Sequence, residues 1–412
     1  MSGADVRTAE VIGALSLATD YGVGLPLEHG LHSALTAVRL AERLGVGAPV
    51  ASAAYYGSLL FYVGCTVDAE VNAELFDDGE LLRHFNPVIF GSPAQTLAGI
   101  VRALAGSEGT PMTRTVRVAT TLPRAVRGHQ RHVVAMCEVA RMLTVRLGLP
   151  ESTSRLFDRF TDRWDRHGDD LPVELRIVHV ARDLTLQRMI GGDAYALSVV
   201  AERGGHAFDP AVTGAVVPAL FAVDDGVPLW EQVVAAEPGP PLYLTGEAVD
   251  EALSAMGDFA DLASPYLVGH SAGVARLAAD AARACGYAEP QVTAVRRAGY
   301  VHDIGRVAVS PRVWQKPGPL SAAEWEQVRL HPYHGERILC RSALLAGLAR
   351  IATCHHERLD GSGYHRGLPA PVLEPGARLL AAADAYHSMT EPRAHRPALP
   401  RERAAALLTE QV

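Results

Sequence analysis

The sequence predicts a mostly α-helical protein of more than one domain, and three observations predict it. Apolar residues recur at spacings of three and four over Leu31 to Leu44, Arg131 to Leu147, Val173 to Met189, Asp250 to Ala263, Val268 to Cys285, Ala322 to His331 and Arg337 to His356. That is the period of one helix face. Strand-like alternation is scarce, and several of these patterns stop at a glycine, as at Gly45, Gly148 and Gly286, the usual C-terminal stop of a helix. Finally, 412 residues exceed the roughly 100 to 200 of one domain.

Composition excludes several classes. With 48% hydrophobic and 20% charged residues the chain can bury cores and is not disordered, and 38 Gly with 26 Pro are too few for a collagen-like or low-complexity protein. The charge-free stretch Ala211 to Val223 holds Thr213, Gly214 and Pro218 and is shorter than the ~20 apolar residues of a membrane span. Asp5, Arg7 and Glu10 precede any apolar run, the wrong order for a secretory signal, so a cytoplasmic protein without membrane contact is expected. Five cysteines, scattered and without a CxxC pair, suggest buried thiols, not a disulfide framework or zinc knuckle. The net charge is −8, Lys316 is the only lysine, and there is no basic run, which argues against nucleic-acid binding by this chain.

Glu237-Pro-Gly-Pro-Pro241 cannot continue a helix and reads as a linker. It divides the chain into domains 1–238 and 242–412. The two sides repeat: at an offset of 241, His29 falls on His270, Gly45 on Gly286 and Gly64 on Gly305. At an offset of 195 Asp165 falls on Asp360, and at 202 Arg176-Ile-Val falls on Arg378-Leu-Leu. The first change of offset implies an insertion near 66–130 in the N-terminal copy.

The C-terminal half carries His270, His302-Asp303, His331, His355-His356 and Asp384, on or at the end of different predicted helices. Imidazoles and carboxylates gathered from five helices suit two first-row transition metals better than one. The stretches Ser264-Pro-Tyr-Leu-Val-Gly-His270, His302-Asp-Ile-Gly-Arg306, Lys316-Pro-Gly-Pro-Leu320, His331-Pro-Tyr-His-Gly335, His355-His-Glu-Arg-Leu-Asp-Gly-Ser-Gly-Tyr364 and Ala383-Asp-Ala-Tyr386 resemble an HD-GYP domain, a branch of the HD metal-dependent phosphohydrolases. The resemblance covers about Thr245 to Arg403. It implies an all-α domain with a binuclear, sometimes trinuclear, iron or manganese centre that hydrolyses cyclic di-GMP; the internal repeat makes this a tandem of HD-type domains with the metal site in the C-terminal one, and the same ligand types also accept nickel or zinc.

Residue by residue, the resemblance implies that His270, His302 and Asp384 hold one metal, that His331, His355 and His356 hold the other, and that catalytic Asp303 bridges them. Two cations around a shared water give a hydroxide nucleophile and stabilise the displaced oxygens. Arg306 stands where the family has lysine and is expected to contact a substrate phosphate, with a planar fork in place of a point charge. Tyr364 and His365 are expected beside the substrate, His365 replacing the proline of the family's name. His387 replaces a family aspartate and is expected behind the ligands. Tyr266 occupies a position where glutamate accompanies three-metal sites, favouring two metals here. Lys316 reads as part of a structural turn.

In the N-terminal copy His302-Asp303 fall on Phe61-Tyr62, His331 on Met136, His355-His356 on Phe160-Thr161 and Asp384 on Arg182. Only His29 survives, so this half is expected to be a degenerate HD domain that packs, dimerises or senses. The leading function is a phosphodiesterase on cyclic di-GMP or a related nucleotide. A phosphomonoesterase on small phosphates, and a low-turnover receptor binding metal and nucleotide, are the alternatives, and a homodimer is left open.

Overall fold

The structure is a computed structural model and describes residues 5–66, 84–106 and 110–410. It divides into two compact units, Arg7–Tyr243 and Met1–Val6 with Leu244–Val412. Parts of the insertion expected near 66–130, namely 67–83 and 107–109, lie outside the described residues. The only named strands among the described residues, Val6–Arg7 and Tyr243–Leu244, have two residues each; everything else of regular structure is helical.

In the first unit the principal helices are α1 (Thr8–Val23), α2 (His29–Leu44), α3 (Ala48–Leu59), α4 (Pro93–Ala105), α5 (Pro111–Arg146) and α6 (Val173–Arg203), the last broken at Gly192 with φ 81°. The described part of the expected insertion is therefore helical in α4 and the start of α5. Leu15, Leu31, Leu40, Tyr55, Phe157 and Ile177 are buried in the core. The second unit has α7 (Glu247–Asp261), α8 (His270–Ala284), α9 (Glu289–Val301), α10 (Ala322–Leu339), α11 (Ala343–Ala352), α12 (Pro375–Thr390) and α13 (Arg401–Glu410). Leu253, Phe259, Val274, Val301, Ile304, Ile338 and Leu380 form its core, and α8 packs chiefly on α9 and α12.

Two expected helices change shape. The pattern over Arg337 to His356 is two helices, because Ser342 breaks it before α11. The pattern that stops at His331 continues through Pro332 to Leu339. A proline inside a helix strips the carbonyl four residues back of its N–H partner. Here that carbonyl belongs to Val328, and His331 Nδ1 donates to it at 2.6 Å.

The two units share details along the offset of 241. His29 and His270 each open a helix behind a left-handed residue, Glu28 (φ 66°) and Gly269 (φ 81°). Asp20 accepts a hydrogen bond from Gly30 N, and Asp261 accepts one from Ser271 N. Both α2 and α8 thus have an orphan N-terminal N–H satisfied by a carboxylate from the preceding helix. A β-carbon on Gly64 would lie 2.2 Å from Met136 O, and one on Gly305 would lie 2.0 Å from His331 O. The same close approach of turn to helix recurs, joining the residue pairs that the sequence alignment also matched.

Candidate metal centre

Seven side chains converge in the second unit. His302 and Asp303 lie at the end of α9 and the turn beyond it, His331 in α10, His355 and His356 just past α11, His270 at the start of α8 and Asp384 in α12. Asp303 is at the centre: its Oδ2 lies 2.9 Å from His302 Nε2 and 3.4 Å from His270 Nε2, and its Oδ1 lies 3.2 Å from His331 Nε2 and 3.3 Å from His355 Nε2. Asp384 Oδ1 is 3.3 Å from His270 Nε2, and Asp384 Oδ2 is 4.0 Å from His356 Nδ1. Among the described residues, His270–His302–Asp384 and His331–His355–His356 each present ligand atoms within 4.8 Å of one another.

The imidazoles are held from behind. His302, His331 and His355 donate from Nδ1 to the carbonyls of Gly299, Val328 and Ala352, each three residues back, at 2.8, 2.6 and 2.6 Å. His270 donates from Nδ1 to Glu391 Oε2 at 2.8 Å. With Nδ1 carrying the proton, each ring turns the lone pair of Nε2 toward Asp303, the tautomer a metal requires. His270 Nε2, His302 Nε2 and both oxygens of Asp303 are buried without a hydrogen bond. Buried polar atoms are seldom left so, and a pair of divalent cations would satisfy all four. The donor set, imidazole with carboxylate, fits first-row transition metals.

The electrostatics agree. Burial opposes the Asp303 anion, yet the Arg306 guanidinium, with Nη2 2.7 Å away, and His302 hold it well below the usual carboxylate range. Burial, against the pull of Asp303, lowers His331 to about 4. Burial and the adjoining His355 and His331 keep His356 well below its ordinary value. His331 and His356, kept neutral beside an ionised carboxylate, are ready to bind a cation, whereas His270, whose charged form burial opposes but Asp303, Asp384 and Glu391 favour, is raised to about 10 and gives up a proton when it binds one.

A cavity of about 480 Å³ is lined by Arg306 and opens beside this cluster. Its wall includes Tyr266, Trp314, Trp325, Arg393 and Arg396. Arg306 is buried, stacks over Trp314 at 5.3 Å, and leaves Nε and Nη1 without partners. Tyr364 stacks on His356 with centroids 4.6 Å apart. His365 does not line the cavity; its ring lies 6.0 Å from Tyr333, and its Nε2 3.9 Å from Glu336. Lys316 Nζ pairs with Glu324 at 2.6 Å beside the Ser321 cap of α10. His387 lies behind His270, and Tyr266 brings no carboxylate to the site.

Sequence reasoning missed Glu391, which holds His270, and Arg393 and Arg396 in the cavity wall. The missed signal was helical register: Glu391 follows His387 by one turn and Asp384 by two.

Residues 254–412 match the family model for the HD domain. The second unit therefore carries an HD domain. A 3'3'-cGAMP-specific phosphodiesterase of Vibrio cholerae is 26% identical over 98% of this chain and 91% of its own. A cyclic di-GMP phosphodiesterase of Thermotoga maritima is 35% identical over 37% of this chain and 42% of its own length, so the chain spans less than half of that relative. The crystal structure of a cyclic GMP-AMP specific phosphodiesterase from V. cholerae shares the fold, with a TM-score of 0.67 and 23% identity over 99% of this chain and 94% of that one. The all-α architecture expected from the sequence is thereby shown. HD phosphohydrolases use divalent metals, and this HD domain has the donors for them. No described helix is long and apolar enough to cross a membrane.

Proposed function

We propose that the chain is a metal-dependent phosphodiesterase that opens a cyclic dinucleotide of the 3'3'-cGAMP or cyclic di-GMP class. The observation that carries this reading is Asp303, whose two oxygens face two different pairs of imidazoles while Arg306 flanks it at the cavity. His270, His302 and Asp384 would hold one ion, His331, His355 and His356 the other, with Asp303 between them. Iron or manganese suits this set. When bound, the pair supplies Lewis acidity and acidifies a water.

The side chains of the chain account for the rest. Arg306 stays protonated because Asp303, Asp384 and Asp261 outweigh its burial, and its two unpaired N–H groups can take a phosphate oxygen. A cyclic dinucleotide carries two phosphates and two purine rings. Arg393 and Arg396 offer charge to the second phosphate, and Trp314 and Trp325 offer faces on which a base can stack. In the reaction a water oxygen adds to phosphorus, one ester P–O bond breaks, and the departing sugar oxygen takes a proton, leaving a linear dinucleotide. We assign no metal centre to Arg7–Tyr243 and read that unit as a degenerate counterpart that packs or regulates.

The test uses full-length protein purified anaerobically and loaded with Mn²⁺ or Fe²⁺. Chromatography follows cyclic di-GMP, 3'3'-cGAMP and p-nitrophenyl phosphate. A linear dinucleotide product, absent with Asp303→Ala, supports the reading. Turnover of the monoester alone would replace it with a phosphomonoesterase, and cyclic-dinucleotide binding without turnover would replace it with a receptor.

A further inference from the structure

Three of the inward-facing imidazoles in the HD domain sit near the end of a helix or beside a proline, where a main-chain carbonyl is free to accept from Nδ1. His270 differs. It opens α8, and the unsatisfied main-chain groups at a helix start are donors, not acceptors. A side chain has to supply the acceptor, and Glu391 does so at 2.8 Å.

We propose that Glu391 is a positioning residue for the metal centre, fixing the ring of His270 and tying it to Arg393 in the cavity wall. The inference rests on the metal-centre reading above. Glu391 Oε2 accepts from both His270 Nδ1 and Arg393 Nη2, the latter at 2.9 Å, and Glu391 Oε1 lies 3.1 Å from His387 Nδ1. The His387 ring meets that of His270 edge-on, with centroids 5.4 Å apart. Its position is set by Gly273 of α8, whose missing β-carbon would stand 1.8 Å from His387 Nε2. Gly273, His387 and Glu391 therefore form a packed support behind one metal ligand.

The N-terminal unit supplies an internal comparison. His29 opens α2 as His270 opens α8, yet His29 Nδ1 has no hydrogen-bond partner and Nε2 faces the main-chain oxygen of Arg182 at 3.2 Å. The carboxylate support accompanies the histidine that faces the other donors and is missing from the one that does not. A carboxylate behind a ligating imidazole fixes its tautomer and raises its basicity.

The test compares full-length wild type with Glu391→Ala and Glu391→Gln. Mn²⁺ binding is measured by titration against a chelator, the Co²⁺ absorption spectrum is recorded, and thermal unfolding is followed without metal. The expected result is two Mn²⁺ sites in the wild type, with one of them weakened about 10- to 100-fold in Glu391→Ala. Glu391→Gln falls between, because its amide oxygen still accepts a hydrogen bond but lacks the charge. The Co²⁺ bands shift, and the metal-free unfolding midpoint of Glu391→Gln stays at the wild-type value. Wild-type affinity at both sites in both variants would overturn the proposal, as would equal loss at both sites with a lowered metal-free midpoint. A wild type that binds no Mn²⁺ would remove the metal-centre reading itself and this proposal with it.

Discussion

A carboxylate buried with both oxygens lacking hydrogen bonds is costly unless cations face it. Asp303 meets that condition with Arg306 and four imidazoles around it. Replacing it with alanine is expected to remove both metal retention and turnover, by at least about 100-fold, the upper end for loss of a mere outer partner; metal analysis and product chromatography check this. His179, in the other unit, is a residue whose burial has a pH signature. Its ring nitrogen lies 2.9 Å from Phe160 O, Arg182, Asp162 and Arg163 act on it, and burial lowers it to about 4. Its folded value lies below its unfolded value, so its neutral form contributes stability that is present above about pH 6.5 and is lost as pH falls toward 4. Between pH 7.5 and 5 the loss is about 2 kcal/mol. His179→Phe, which cannot titrate, should flatten the pH dependence of urea unfolding by that amount, and an unchanged slope would contradict the assignment.

At the scale of elements, glycines decide how closely the turn after α9 approaches α10. A β-carbon on Gly305 would meet His331 O at 2.0 Å and Gly335 N at 2.4 Å, main chain against main chain, with no flexible side chain to yield. Gly305→Ala is expected to destabilise by about 1–3 kcal/mol and to weaken metal binding, since the displaced turn carries Asp303 away from His331. Gly347, exposed in α11 with nothing near its missing β-carbon, provides the opposite outcome: Gly347→Ala should stabilise by about 0.5–1 kcal/mol. Denaturant titration of both variants checks the pair. These contacts show why the sequence was legible where it was. Helical periodicity identified α2, α7 and α8 to within a few residues, and the His and Asp motif named side chains that do converge. The continuation of α10 through Pro332 was not legible, because it depends on the His331 ring taking over a carbonyl. Glu391 shares a register with Asp384 and His387, but what it holds is set by a contact across 121 positions.

At the scale of the whole molecule, the two aligned units share helices and close approaches but differ in what they bury at the centre. Arg182, fully buried, aligns with Asp384, and its guanidinium bonds Tyr62, which aligns with Asp303. It also donates to Asn86 O at 3.1 Å, pairs with Asp183 at 3.3 Å, and lies over Phe61, Tyr62 and Phe90. Asp183 in turn pairs with Arg203. A fixed cation surrounded by aromatic faces thus stands among residues that align with those proposed to hold ions in the HD domain. Among the described residues of this unit no group of His, Cys, Asp or Glu is placed to hold an ion, and the buried guanidinium would repel one. The chain is therefore expected to hold two ions, not four, and His29→Ala should leave that number unchanged whereas His270→Ala reduces it. Arg182→Met should leave it unchanged too, yet destabilise the fold by about 3 kcal/mol, the cost of breaking a buried charge pair from one side. Elemental analysis with urea unfolding separates the two effects: a gain of metal in Arg182→Met would mean that the guanidinium blocks a latent site, and a loss would mean that the N-terminal unit shares in the centre.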